Sequence, residues 1–145
     1  MLQQRINFIT LGVSDLARSR RFYEQGLGWK ASQRNSTEGV VFFQMPGGLV
    51  FALFPREELA KDAGISDTGS GFGGFSLAHN VHEQHEVAQV LQLAEQAGGT
   101  ILKPAQDAFW GGYYGYFADP DGFTWEVAWN PSFGLSDKGE VILPE

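Results

Sequence analysis

The stretches FFQMPGGLVFALF, from Phe42, and YFADPDGFTWEVA, from Tyr116, are two copies of one pattern. Phe43 lies over Phe117, Pro46 over Pro120, Gly48 over Gly122 and Ala52 over Glu126. Upstream of each copy the order repeats. FITLGV from Phe8 lies over GFSLAHNV from Gly74, with Thr10 over Ser76 and Leu11 over Leu77, and a helical stretch follows each. An internal repeat restricts the fold severely, because each copy must bury its apolar face and a single small sheet cannot do so alone. The expected class is α+β: two βαβββ modules pairing into a cupped, barrel-like mixed sheet. The expected divisions are a first module with a short helix over 1–62, a linker over 63–71, a second module over 72–131 and a tail over 132–145.

Local signals place the elements. Ile6 to Val13 reads as a strand. SDLARSRRFYEQGLGW reads as a helix capped by Ser14 or Asp15 and stopped near Gly26 or Gly28, with Leu16, Phe22 and Tyr23 turned inward. WKASQ, VVFFQM and LVFALF read as strands, and PREELAKDAG as a short helix. ISDTGSGFGG has linker composition. In the second half, GFSLAHNV, TILKP, YYGYFAD and FTWEVAW read as strands. HEQHEVAQVLQLAEQAGG reads as a helix with Val87, Val90, Leu91 and Ala94 on one stripe.

Composition excludes several classes. The chain has no cysteine, so disulfides and thiolate chemistry are ruled out. Its net charge of -7 would repel a phosphate backbone, so no nucleic-acid partner is expected. RSRR at 18–21 reads as the solvated side of a helix. No apolar run is long enough to span a bilayer, and no membrane partner is expected. MLQQRINFITLGV does not have the pattern of a signal peptide, so a cytoplasmic setting is expected.

LGVSDLARSRRFYEQGLGW near the start and FADPDGFTWEV near the end, on paired βαβββ modules, resemble the vicinal oxygen chelate superfamily. This superfamily comprises glyoxalase I, bleomycin-resistance proteins and extradiol dioxygenases. The resemblance covers about residues 5 to 130 and is greatest to uncharacterised glyoxalase-like bacterial proteins. It implies metal ligands on the first and last strands of each module, matched here to Phe8, Ala52, Gly74 and Glu126. Only Glu126 of these has a side chain suited to a metal, so neither a bound metal nor another cofactor is expected. The resemblance also implies a homodimer.

Glu126 alternates away from Phe123, Trp125, Val127 and Trp129, so one acid stands on the other face of an apolar strand. It is the candidate catalytic base, a ligand-binding group, or a carboxylate held by hydrogen bonds. Phe8, Thr10, Phe42, Gln44, Ala52, Gly74 and Ser76 are expected to share its cavity. Trp110, Tyr114 and Tyr116 add aromatic walls and hydroxyls. Gln44 either orients a ligand or satisfies a backbone group. His79, His82 and His85 are read as surface or capping residues, with His79 near a site at the strand end. Two functions fit these residues. One is a glyoxalase-like protein, a lyase or isomerase acting on a small oxygenated compound with the usual metal site largely lost. The other is a metal-free binding protein of the bleomycin-resistance type that sequesters an aromatic or cationic compound.

Overall fold

The computed structural model describes residues 4, 6–63, 66–69, 71–73 and 75–144. Strand β1 (Phe8–Val13) leads into helix α1 (Leu16–Arg20), which continues as a wider π-type turn over Arg21–Gly26. Asp15 caps α1, its carboxylate accepting the Arg18 N–H at 3.0 Å. Strands β2 (Val41–Gln44) and β3 (Val50–Pro55) follow, then helix α2 (Arg56–Ala63). The second half supplies β4 (Leu77–Asn80), α3 (Glu86–Gln96), β5 (Thr100–Asp107), β6 (Tyr113–Ala118) and β7 (Thr124–Trp129). A small hairpin, β8 (Gly134–Leu135) and β9 (Val141–Ile142), closes the chain.

Three sheets result, in the orders β1-β3-β2, β4-β7-β6-β5 and β8-β9. The two larger ones are mixed: β1 runs parallel to β3 and β4 parallel to β7, while the hairpins are antiparallel. The α+β class and the repeated topology therefore stand, but no closed barrel forms among the described residues. WKASQ does not form the expected strand. Among the described residues its one backbone hydrogen bond to β2 is Ser32 N–H to Phe42 O at 2.8 Å, because Trp29 turns into the core, against Phe43 and Phe51, and the Ser32–Ser36 turn starts early.

The repeat holds in the hairpins. Phe42 stands opposite Ala52, and Tyr116 stands opposite Glu126, while Gly48 and Gly122 take the same left-handed backbone (φ 82° and 88°). The first strands need a correction. Ile9 pairs with Phe51 and Leu77 with Trp125, so Thr10 matches Ala78, and Phe8 matches Ser76 rather than Gly74. The expected alignment rested on Leu11 over Leu77, but His79 occupies the place of Leu11. Gly74 itself lies outside the described residues.

One core serves both modules. Tyr23, Phe22, Phe43, Phe51, Leu53, Phe117, Trp125 and Val127 are all buried in it. The Phe51 ring of the first sheet lies 5.9 Å from the Trp125 ring of the second. Trp29 lies 5.5 Å from one and 5.8 Å from the other. Helix α3 adds Val87, Leu91 and Ala94 from the predicted stripe. Thus the helix-packed faces of the two sheets are joined, and their alternate faces point away from the shared core.

The turn ADPDG locks the modules together. Asp119, only 3% exposed, accepts the Tyr23 hydroxyl at 2.6 Å and the N–H groups of Asp121 and Phe123 at 2.9 Å each. Tyr23 in turn accepts the Trp125 indole N–H at 3.0 Å. Asp121 accepts from Ser14 and Ser19 hydroxyls, at 2.8 and 2.7 Å, and from Arg18 at 3.3 Å. RSRR is therefore not simply a solvated face, since Ser19 is fully buried and Arg18 reaches the second module's turn. Alternation could not show this, because the buried partner lies about a hundred residues away.

Gly115 answers to packing of a different kind. A Cβ there would come 2.5 Å from Leu91 Cδ1 and 2.8 Å from the Lys103 carbonyl. Gly115→Ala is therefore expected to cost about 1–3 kcal/mol, because the β5 backbone must move. A urea denaturation midpoint equal to that of the parent protein would contradict this close approach.

Candidate functional site

Strand alternation puts Tyr114, Tyr116 and Glu126 on the outward face of the second sheet. Tyr116 stands directly across from Glu126 on one side and Lys103 on the other. An acid, a phenol and an ammonium therefore form a row across three strands. Tyr114 and Tyr116 rings meet edge-on at 6.0 Å, and Trp110 lies 6.0 Å from Tyr114. Lys103 Nζ donates to the Tyr114 hydroxyl at 2.8 Å and lies 5.0 Å from its ring centroid.

The charges on this face support one another. Burial, then the nearby Glu126 carboxylate, raise the Tyr116 phenol above its ordinary pKa, so it stays protonated at neutral pH. The hydrogen bond to Tyr114 raises Lys103 likewise, so it stays cationic. The face thus offers an acceptor beside protonated donors.

Lys103 was not among the residues expected here. Plain alternation along TILKP would set Leu102 opposite Tyr116 and turn Lys103 to the core. A β-bulge between Ile101 and Lys103 reverses this: Ile101 pairs with Phe117, and Lys103 with the very next residue, Tyr116. Gly115, where a Cβ would come 2.8 Å from the Lys103 carbonyl, lies beside that bulge. A glycine inside YYGYFAD was the one sequence signal for it.

The first sheet carries the other expected group. Phe8 and Phe42 meet at 6.3 Å, and Ala52 lies between Thr10 and Phe42 in register. Phe8 is 57% exposed, whereas Ala52 is buried. Helix α2 covers one end of this face, where Gly12 packs against Arg56 and Leu59. The Gln44 amide donates to the Met45 and Leu49 carbonyls at 3.3 and 3.2 Å, so it serves its own turn. Ser76 is exposed just before β4. No aromatic pair on the outward faces joins the two sheets among the described residues. Within one chain the expected residues thus form two groups, one on each sheet.

The histidines separate as well. His82 Nε2 lies 2.9 Å from the Ser136 carbonyl, tying the tail hairpin down, and His85 immediately precedes α3. His79 stands across from Val127 on the core side yet stays exposed at the sheet edge, and partial desolvation lowers its pKa against an opposing pull from Glu86.

Residues 5–127 match the model of the glyoxalase/bleomycin resistance protein/dioxygenase superfamily. The chain belongs to this superfamily. A solved glyoxalase-related enzyme from Fulvimarina pelagi is 38% identical, with all of its chain and 99% of this one aligned at a TM-score of 0.89. A hypothetical protein from S. aureus aligns at 23% identity over 90% of this chain and 96% of its own, TM-score 0.75. A lactoylglutathione lyase from Agrobacterium tumefaciens shares the fold at 22% identity, TM-score 0.65, over 89% of this chain and 96% of its own. No functionally curated protein gave a significant match.

The superfamily resemblance implies a divalent metal, and the donors here do not fit one. With the corrected register, the four matched positions hold Phe8, Ala52, Ser76 and Glu126. Among the described residues no three His, Cys, Asp or Glu side chains gather as metal ligands would. One carboxylate does not replace the hydration shell of a divalent ion. Also among the described residues, no helix is long and apolar enough to cross a membrane.

Proposed function

We propose that this glyoxalase-like chain binds a small oxygenated compound on the Glu126 face, through protein donors rather than a metal. The row of Lys103, Tyr116 and Glu126 is the observation that carries this reading. A ligand oxygen gaining negative charge would be held by the Tyr116 hydroxyl and the Lys103 ammonium, while Glu126 takes the proton. That chemistry suits a lyase or isomerase. The relative described as a glyoxalase-related enzyme favours it.

A second reading is sequestration, as in bleomycin-resistance proteins. The ladder of Trp110, Tyr114 and Tyr116 beside an acid favours an aromatic or cationic ligand without catalysis. Calorimetric titration with 2-hydroxyacetophenone and catechol tests the site for both readings. Glu126→Gln and Tyr116→Phe are each expected to weaken binding about tenfold, the worth of one hydrogen bond to a charged group. Binding indifferent to both changes would make Glu126 structural. Turnover of the hydroxyketone separates the enzyme from the binding protein.

We further propose that a second copy of the chain brings the Phe8 face of one subunit against the Glu126 face of the other. The exposure of Phe8 and the outward direction of both faces support this. Sedimentation is expected to show a dimer at micromolar concentration, and Phe8→Asp a monomer. A parent chain that stays monomeric contradicts it.

A further inference from the structure

The edges of the two large sheets frame a cavity distinct from the Glu126 face. Strands β2 and β4 end their respective sheets. Between them, under the tail hairpin, lies a space of about 460 Å³. Trp29 and Phe43 give it an apolar wall, and His79 and Asn80 a polar one. Lys30 and Lys138 also line it. This volume falls within the usual range for small-molecule sites. A smaller recess of about 130 Å³ shares Trp29 and His79 and continues toward Val90 and Leu93.

The chain carries -7 overall, yet Lys30 and Lys138 line this space and no Asp or Glu among the described residues does. The ion pairs among the described residues are Arg18–Asp121 and Arg20–Glu24, so neither lysine is neutralised by a carboxylate there. Two ammonium groups line the space beside a flat indole, while the flanking carboxylates Asp137 and Glu140 are not among its described lining. Such a lining favours an anion joined to a flat ring.

We propose that this cleft is a second ligand site, taking a small aromatic carboxylate with its ring on Trp29 and its carboxylate between Lys30 and Lys138. The Asn80 amide has no protein hydrogen-bond partner among the described residues and is placed to add one. The His79 imidazole lines the same space and can contribute a further hydrogen bond.

Calorimetric titration of the full chain with 1-naphthoate and uncharged 1-naphthalenemethanol tests the site. The carboxylate is expected to bind about tenfold more tightly than the alcohol. Lys30→Glu with Lys138→Glu is expected to abolish that preference. Both side chains are exposed, and an unchanged circular dichroism spectrum would show the fold intact. The same double variant should leave 2-hydroxyacetophenone binding unaltered, and excess 2-hydroxyacetophenone should not displace naphthoate. These two arms separate this cleft from the Glu126 face. The proposal is overturned if naphthoate gives no heat at millimolar concentration, binds no better than the alcohol, survives the double charge reversal, or is displaced by the hydroxyketone.

Discussion

Asp119→Ala is expected to destabilise the protein by about 3–5 kcal/mol, the cost of several orphaned buried donors and a large part of the roughly 5–15 kcal/mol that holds a domain folded. The change strands the buried Tyr23 hydroxyl and removes the acceptor for two turn N–H groups. Each orphaned buried group costs about 1–3 kcal/mol. Asp119→Asn should cost less than half as much. Its remaining oxygen can still accept both N–H groups, but its amide then faces a Tyr23 oxygen that already accepts from Trp125. Chemical denaturation followed by tryptophan fluorescence measures both. Equal losses for Ala and Asn would mean that this hydrogen-bond arrangement is wrong.

The same carboxyl gives a pH dependence of known sign. Burial raises its pKa above the ordinary 3.8, against hydrogen bonds that lower it. The folded chain therefore holds this proton more tightly than the unfolded chain. Its contribution to stability is most favourable when protonated and declines as pH rises from about 3.8 through the folded pKa. Asp119→Asn should remove this decline.

Phe51→Ala is expected to cost about 3–5 kcal/mol, as for other large core aromatics. Phe51 packs against Tyr23, Trp29 and Phe43 from the first half and Trp125 from the second. Its loss should lower the stability of both modules together. Unfolding should stay a single transition by fluorescence and by far-ultraviolet circular dichroism. Two separated transitions would show that the modules have independent cores.

The repeat made most of this fold legible. Pro46–Gly48 and Pro120–Gly122 mark the same turn, and the alternation around Ala52 and Glu126 assigned the correct faces. What local pattern could not reveal was register and distance. Leu11 and Leu77 invited an alignment two residues out of place, because His79 occupies a position held by leucine in the first module. Lys103 was invisible because a bulge reverses its face. Ser19 was read as part of a solvated helix side, and only the folded chain sets it against Asp121 of the second turn. The Glu126 face was legible because an isolated acid in an aromatic strand must face away from its neighbours. The cleft at Trp29 was not, because its walls come from four separate segments.

The central claim is that Glu126 works here as a lone carboxylate, with Tyr116 and Lys103 in place of a metal. Elemental analysis of the purified protein and of Glu126→Gln tests it most directly. The account predicts far less than one zinc, nickel, iron or manganese ion per chain in either protein. One tightly held divalent ion per chain in the parent protein, lost in Glu126→Gln, would contradict it.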